Sequence, residues 1–391
     1  MILVFDRFVN GKPYPNLARH EAVPFTPEWR QFSGQWPHSE PFHFLEYLDQ
    51  EGIPCSVIKT ENAEHGLYPI SLGFFDFSVD WFSLVDPALL EKARQRKIKF
   101  WFYYSEGDNP FVIDRRLTRL CKDYSIPRSQ VHFTIANTAA EQLENFSYFP
   151  DDELLFRLRN QHWPPGEFFD HPRRKKFTAL VRTHKWWRAT SMARLWQQGL
   201  HQQGYFSYNS KIDIGNQETD NPIEVDQFSG LRAHTYNFLK YAPFRADKLT
   251  SDLHNEYSSS VPDHYSESYL HIVLETHFDT EQSSGVFLTE KTFKPIKFCQ
   301  PFVILGAAGS IAQVKKMGYR TFDHVIDHSY DSISNNTKRW DAAMSEIERL
   351  ITDTDLHSLF QSCGSDLIHN RQLFLSSKRE RLNTLIKKVI S

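Results

Sequence analysis

The feature that most constrains this chain is an alternation that stops once and then restarts. Short β-rich apolar runs take turns with segments whose apolar residues recur at helical spacing. In the first half, strands are predicted at 2–5, 55–58, 72–77, 98–104 and 131–135, and helices at 43–50, 87–96 and 111–124. The run 98–104 (IKFWFYY) is the densest, and the turn residues of 105–110 close it. Strands that alternate with helices imply βαβ units and a mostly parallel sheet. Residues 160–176 break the rhythm with Pro164, Pro165, Gly166 and Pro172, then four successive cations from Arg173 to Lys176. Strands are predicted again at 177–181, 207–212, 270–274 and 301–305, with helices at 191–203, 290–298 and 310–317. The polar stretch 216–262 carries no clear period. Leu382, Leu385, Ile386 and Val389 keep one face of a closing helix apolar. The expected fold class is α/β, with two Rossmann-like domains facing a cleft, over 1–165 and 175–350, and a helical tail over 351–391.

Composition narrows the function classes. A length of 391 residues suits two domains, and a net charge of −3 lacks the basic excess of a duplex nucleic-acid binder. The 4 cysteines are scattered, without a CxxC pair, so neither a disulfide scaffold nor a zinc site is expected. A reduced, cytoplasmic protein is the expectation. No run of 18 apolar residues occurs, so membrane contact is expected only at the periphery. The basic stretch 378–388 is the candidate face for that contact, a plain amphipathic closing helix being the alternative. The fingerprints GxGxxG, GxxxxGK[ST] and GxSxG are not found where dehydrogenases, P-loop kinases or serine hydrolases need them. Asp353-Thr354-Asp355 has the form of a metal–diphosphate DxD, but it precedes a helix near the C-terminus, where capping is the expected role. His324 and His328 are four apart, a spacing that puts two metal ligands on one helix face.

Three segments carry chemistry. In the first, a strand ends at Glu275, a polar loop follows, and Thr289-Glu290-Lys291 opens a helix with Thr289 as N-cap. A helix N-terminus and the Lys291 ammonium together suit a diphosphate, and Glu290 suits ribose hydroxyls. Glu275 stands at the carboxyl end of a strand, where ligands bind in open α/β sheets. A capped helix with a solvated Glu–Lys pair accounts for the same residues. In the second, the strand 177–181 runs into Arg182, His184, Lys185, Trp186, Trp187 and Arg188. Its cations can neutralise a diphosphate and its tryptophans can stack on a base or sugar; a solvated basic turn with core tryptophans is the alternative. In the third, Glu106 follows the strand 98–104 and is placed to act as general base toward a hydroxyl, or merely to turn the chain.

Together these residues resemble the α-1,3-fucosyltransferase family, inverting glycosyltransferases of two-Rossmann GT-B architecture. That family carries a Phe-Glu-Asn-like triplet, a loop and Val-Thr-Glu-Lys opening a helix. Leu274-Glu275-Thr276 and Leu288-Thr289-Glu290-Lys291 are similar, and Pro301 to Gly306 matches the strand that follows. Arg188 resembles the family's basic residue after a strand, and Tyr104-Ser105-Glu106-Gly107 its acceptor-side turn. The likeness is clearest over 270–306. Thr276 replaces the family's Asn, the loop is longer and acidic at Asp279 and Glu281, and Pro295 sits in the helix. The resemblance implies a nucleotide-diphosphate sugar as donor, GDP-fucose or a related GDP-sugar among them, and a saccharide or glycoconjugate as acceptor. It implies no metal and no further cofactor. Arg188 and Lys291 would hold the diphosphate, with Arg182 and Lys185 beside them. Glu290 would meet the ribose, Glu275 the sugar, and Glu106 would deprotonate the acceptor. Two alternatives stay open: a non-catalytic carbohydrate-binding or scaffold protein of the same shape, and a phage-type enzyme that glycosylates nucleobases.

Overall fold

The computed structural model describes residues 1–9, 12–14, 16, 44–72, 79–153, 171–208, 231–246, 262–279, 284–376 and 378–391. The chain divides into two compact units, one of residues 1–155 with 377–391 and the other of residues 156–376. Both are α/β, each built on a parallel sheet.

The first unit contains β1 (Ile2–Phe5), the hairpin β2 (Arg7–Val9) and β3 (Lys12–Tyr14), α1 (Phe44–Gln50), β4 (Ser56–Lys59) and β5 (Gly66–Leu72). It continues with α2 (Pro87–Arg94), β6 (Ile98–Tyr104), α3 (Pro110–Asp123), β7 (Val131–Ile135) and β8 (Phe146–Tyr148). The sheet order is β4-β1-β5-β6-β7-β8. Every residue of β6 is buried, as a strand covered on both faces requires. Asp86 and Asn109 cap α2 and α3, and each helix has proline in its first turn, where the missing N–H is harmless. β1 and β5 pair at Leu3↔Leu67. Beyond that point Asn16 bridges them, its amide donating to Val4 O at 2.9 Å and to Pro69 O at 2.8 Å. The third strand was expected at 72–77. It lies at Gly66–Leu72, and 73–77 fall outside the described residues.

The second unit begins with β9 (Lys175–Val181), α4 (Trp186–Gln197) and β10 (Gly204–Tyr208), followed by α5 (Arg232–Tyr241) and α6 (Pro262–Ser266). β11 (Ser268–Leu274), α7 (Glu290–Lys297), β12 (Phe302–Leu305) and α8 (Ser310–Lys316) follow. Its sheet order is β10-β9-β11-β12. Gly204 lets β10 close on β9, because a Cβ there would lie 2.6 Å from the Phe177 ring. The helix expected at 191–203 starts earlier, at Trp186, and a short 3-10 turn over Leu200–Gln203 stands where its end was placed. Residues 209–212, all of 160–170 and most of 216–262 lie outside the described residues, so the expected connection between domains is described only from residue 171.

The helices near the C-terminus are shared out between the units. α9 (Asn336–Asp353), α10 (Leu356–Ser362) and α11 (Gly364–Leu375) belong to the second unit, where α9 packs on β12 and α11 on α7. α12 (Arg379–Ile390) belongs to the first unit and lays its apolar face against it near β8. Glu153, with 0% exposure, fastens it: Lys378 Nζ lies 3.0 Å away, and Arg381 pairs with the other carboxylate oxygen. The helical tail expected over 351–391 is therefore divided between the two units.

Candidate functional site

The second sheet's strand order fixes where a crevice opens. From β9 the chain crosses to β10 on one side, then returns to β11 on the other. The connections leaving the carboxyl ends of β9 and β11 therefore diverge, and in open α/β sheets the space between them is where ligands bind. The loops after β9 and β11 are the two basic segments singled out from the sequence.

The cations of these loops converge on residues 275–277. Arg188 is 3% exposed, and its Nε and Nη2 donate to Glu275 O at 3.0 and 2.5 Å. Its Nη1 donates to Thr183 O at 3.2 Å. Lys185 Nζ donates to Thr276 O at 2.8 Å. Lys291, in the first turn of α7, donates to Thr276 Oγ1 at 3.3 Å, Thr289 Oγ1 at 3.1 Å and Glu290 Oε1 at 2.9 Å. Arg182 is exposed at the mouth of the same loop. Lys185, Arg188 and Lys291 come together as expected. Arg188, however, grips backbone carbonyls and acts at this edge through its charge.

Glu275 has a different place from the one expected. It is 0% exposed, and its carboxylate accepts four hydrogen bonds. The donors are Thr276 N at 3.0 Å, Thr289 N at 3.1 Å, Thr289 Oγ1 at 2.7 Å and Thr292 Oγ1 at 2.5 Å. A buried carboxylate needs this many donors, and here they tie the end of β11 to the start of α7. Glu275 thus fixes the loop by holding Thr289, whose own hydroxyl caps α7 by accepting from Lys291 N at 3.4 Å. Glu290 is also buried. Burial pushes its carboxyl up, but Lys291 and Lys294 outweigh that and hold it below the usual carboxylate range. The neighbouring N-terminus, that of α8, is likewise capped from within, since Asp331 accepts from Ile311 N and Ala312 N at 3.0 Å each.

His277, half-buried two residues beyond Glu275, escaped sequence reasoning. Its ring leans on Phe287 at 5.6 Å, and burial together with Lys185, Arg188 and Lys291 pushes its pKa down to about 3. The signal was present only as a histidine inside a segment already flagged. The two tryptophans part company. Trp187 is buried, stacks on Phe278 at 5.0 Å, and its indole N–H has no hydrogen-bond partner among the described residues. Trp186 is half-buried, 5.3 Å from His184 and 5.1 Å from Tyr236, which is 42% exposed.

Glu106 lies on the first unit, exposed on a turn that is braced from both sides. Asn137 donates to Gly107 O at 2.9 Å and Asp108 O at 3.2 Å, and Tyr104 donates to the Asp108 carboxylate. Asp355 caps the helix that follows, as its position predicts, accepting from His357 N at 3.1 Å and Ser358 N at 3.3 Å. His324 and His328 share no helix, and the His328 ring is taken up by Thr321 O at 2.5 Å and Tyr330 Oη at 3.2 Å. Among the described residues, no group of three or more His, Cys, Asp or Glu gathers as metal ligands would. Nor is any described helix long and apolar enough to cross a membrane. No protein-family model matches the chain, and no curated protein matches its sequence.

Proposed function

We propose that the second unit binds the diphosphate of a nucleotide sugar, and that the chain is an inverting, metal-independent glycosyltransferase acting on a saccharide or glycoconjugate. The observation that carries this reading is the convergence of Lys185, Arg188 and Lys291 on residues 275–277 at the switch point of the sheet. Glycosyl transfer breaks the bond between the anomeric carbon and a phosphate oxygen, leaving negative charge on the departing diphosphate. Fixed cations at that point stabilise the charge as it forms, without waiting for water to reorient. Arg188 and Glu275 hold the loop, Lys185 and Lys291 meet the phosphates, and the half-buried Trp186 beside Tyr236 offers an aromatic face for the base. Glu106 is the proposed general base toward the acceptor hydroxyl, an exposed carboxylate on a turn held by Asn137 and Tyr104.

The test is thermal unfolding of the full chain with GDP, UDP, ADP and their sugars. A donor at 100 times its dissociation constant adds roughly 2.7 kcal/mol of stability. One nucleotide is expected to stabilise the protein, and Lys291→Ala to abolish most of the gain. No stabilisation by any of them removes the donor-site reading.

A further inference from the structure

We propose that His277 is a direct ligand of the bound diphosphate, and that it takes up a proton as the anion enters. This inference rests on the anion site proposed above and adds a group that site does not yet include. The geometry comes first. Arg188 grips the carbonyl of Glu275, Lys185 the carbonyl of Thr276, and Lys291 the hydroxyl of Thr276. His277 is the next residue, so the three cations that fasten the backbone just before it lie close by, and each adds to the positive field at its ring. Phe287 backs the ring at 5.6 Å and restricts where it can swing. The nearby carboxylates face elsewhere: that of Glu275 is held by Thr276, Thr289 and Thr292, and that of Glu290 by Lys291.

A fourth positive charge is not tolerated there while the site is empty. Burial and the three cations keep the imidazole neutral down to a pH of about 3. A diphosphate reverses the field, because it brings more than one negative charge to the point where the positive potentials add. The ring nitrogen that lacks hydrogen takes a proton from solvent, and the resulting N–H donates to a phosphate oxygen. When the diphosphate leaves, the proton returns to solvent. The site is thus three cations when empty and four when filled, and it holds a charged product no more tightly than that proton allows.

The consequence is thermodynamic linkage between anion affinity and pH. If one proton is taken up, affinity for the anion rises as pH falls, by up to about tenfold per pH unit. The experiment is titration calorimetry of the full chain with inorganic pyrophosphate and with GDP, UDP and ADP, in buffers of different ionisation enthalpy at pH 7. The probes titrate too, so the reading is the difference between wild type and His277→Gln with the same probe. Wild type is expected to absorb more protons than the variant, by about half a proton at pH 7. The variant should bind about tenfold more weakly at pH 6 and nearly equally at pH 8. Equal proton uptake by two proteins that both bind overturns the role of His277 and leaves the donor site standing. If wild type binds none of the probes, the donor site itself is refuted and this inference goes with it. Nitrogen-15 spectra of the histidine rings in wild type give an answer even if the variant fails to fold. The His277 ring is expected to change from the neutral to the protonated pattern when pyrophosphate saturates the protein, and an unchanged neutral ring overturns the proposal.

Discussion

The two sheets begin with the same path and end with opposite chemistry. In each, the first strand is flanked by the second on one side and the third on the other, so each has a switch point at its carboxyl edge. The edge of the first sheet is acidic and hydroxylic. Asp6 pairs with the Tyr68 hydroxyl at 2.5 Å, Asp108 with Tyr104, Asp151 with Tyr47 and Tyr103, and Glu106 is exposed. The edge of the second carries Arg182, Lys185, Arg188 and Lys291. Topology decides where a ligand can enter, and the side chains in the first turn beyond each strand decide its charge. An edge of carboxylates and hydroxyls suits neutral hydroxyl compounds, whereas an edge of cations suits phosphates.

The comparison breaks most visibly at Glu153. Glu153→Ala is expected to destabilise the first unit by about 3–5 kcal/mol, because it removes the carboxylate facing Lys378, which is 3% exposed. Denaturant unfolding followed by circular dichroism should show an early transition while pyrophosphate binding survives below it. A loss under about 1 kcal/mol would mean that apolar packing alone holds α12. Next in size is the contrast in charge. Lys291→Ala should weaken diphosphate binding by about 1.5–3 kcal/mol, the range for a hydrogen bond to a charged group, while Glu106→Gln leaves binding within twofold. Calorimetry that found both variants equally weakened would erase the distinction between the two edges.

The sheets should behave alike toward acid. His132 in the first and His271 in the second are buried, and burial pushes each down to about 3. Once unfolded, each regains a pKa near 6.5, so between those values the unfolded chain binds protons that the native protein refuses. Stability therefore falls as pH drops from about 6.5 toward 3, by up to about 1.4 kcal/mol per pH unit for each histidine. His271→Phe, which can keep the stacking on Tyr265, should remove one such contribution from the acid limb. An unchanged slope in urea midpoints between pH 6 and 4 would show that the ring is already protonated when native. The smallest effect belongs to Asp355→Ala, a lost helix cap of about 1 kcal/mol. If the same change also impaired diphosphate binding, Asp355 would have a second role.

Much of this was legible because period and turn chemistry agreed. The strand 98–104 and the Thr289 cap of α7 lie where alternation and capping rules put them. The strand Gly66–Leu72 was missed for a physical reason. Pro69 argues against an interior strand, since it has no N–H for the ladder, and nothing local announces that Asn16 lies across its carbonyl. At the site, the loops and their cations were readable, but their targets were not. That Arg188 holds carbonyls, or that four donors consume Glu275, depends on which loops the sheet brings together. His277 was hidden for the same reason, because its neighbours in space come from two separate segments, 185–188 and 287–291.

The clamp on Glu153 bears on how the chain is made. Its partner Arg381 stands 228 residues away along the chain, and the whole second unit lies between them. Chains commonly fold in the order in which they leave the ribosome. Here the earlier half must wait, with Glu153 lacking both cations, until α12 emerges. The later half carries all of its own strands and completes first. Closing that loop adds little entropic cost, because the cost grows only with the logarithm of length. The delay leaves β8 without its contact to α12 during synthesis, and a chain stopped short of Lys378 lacks that contact.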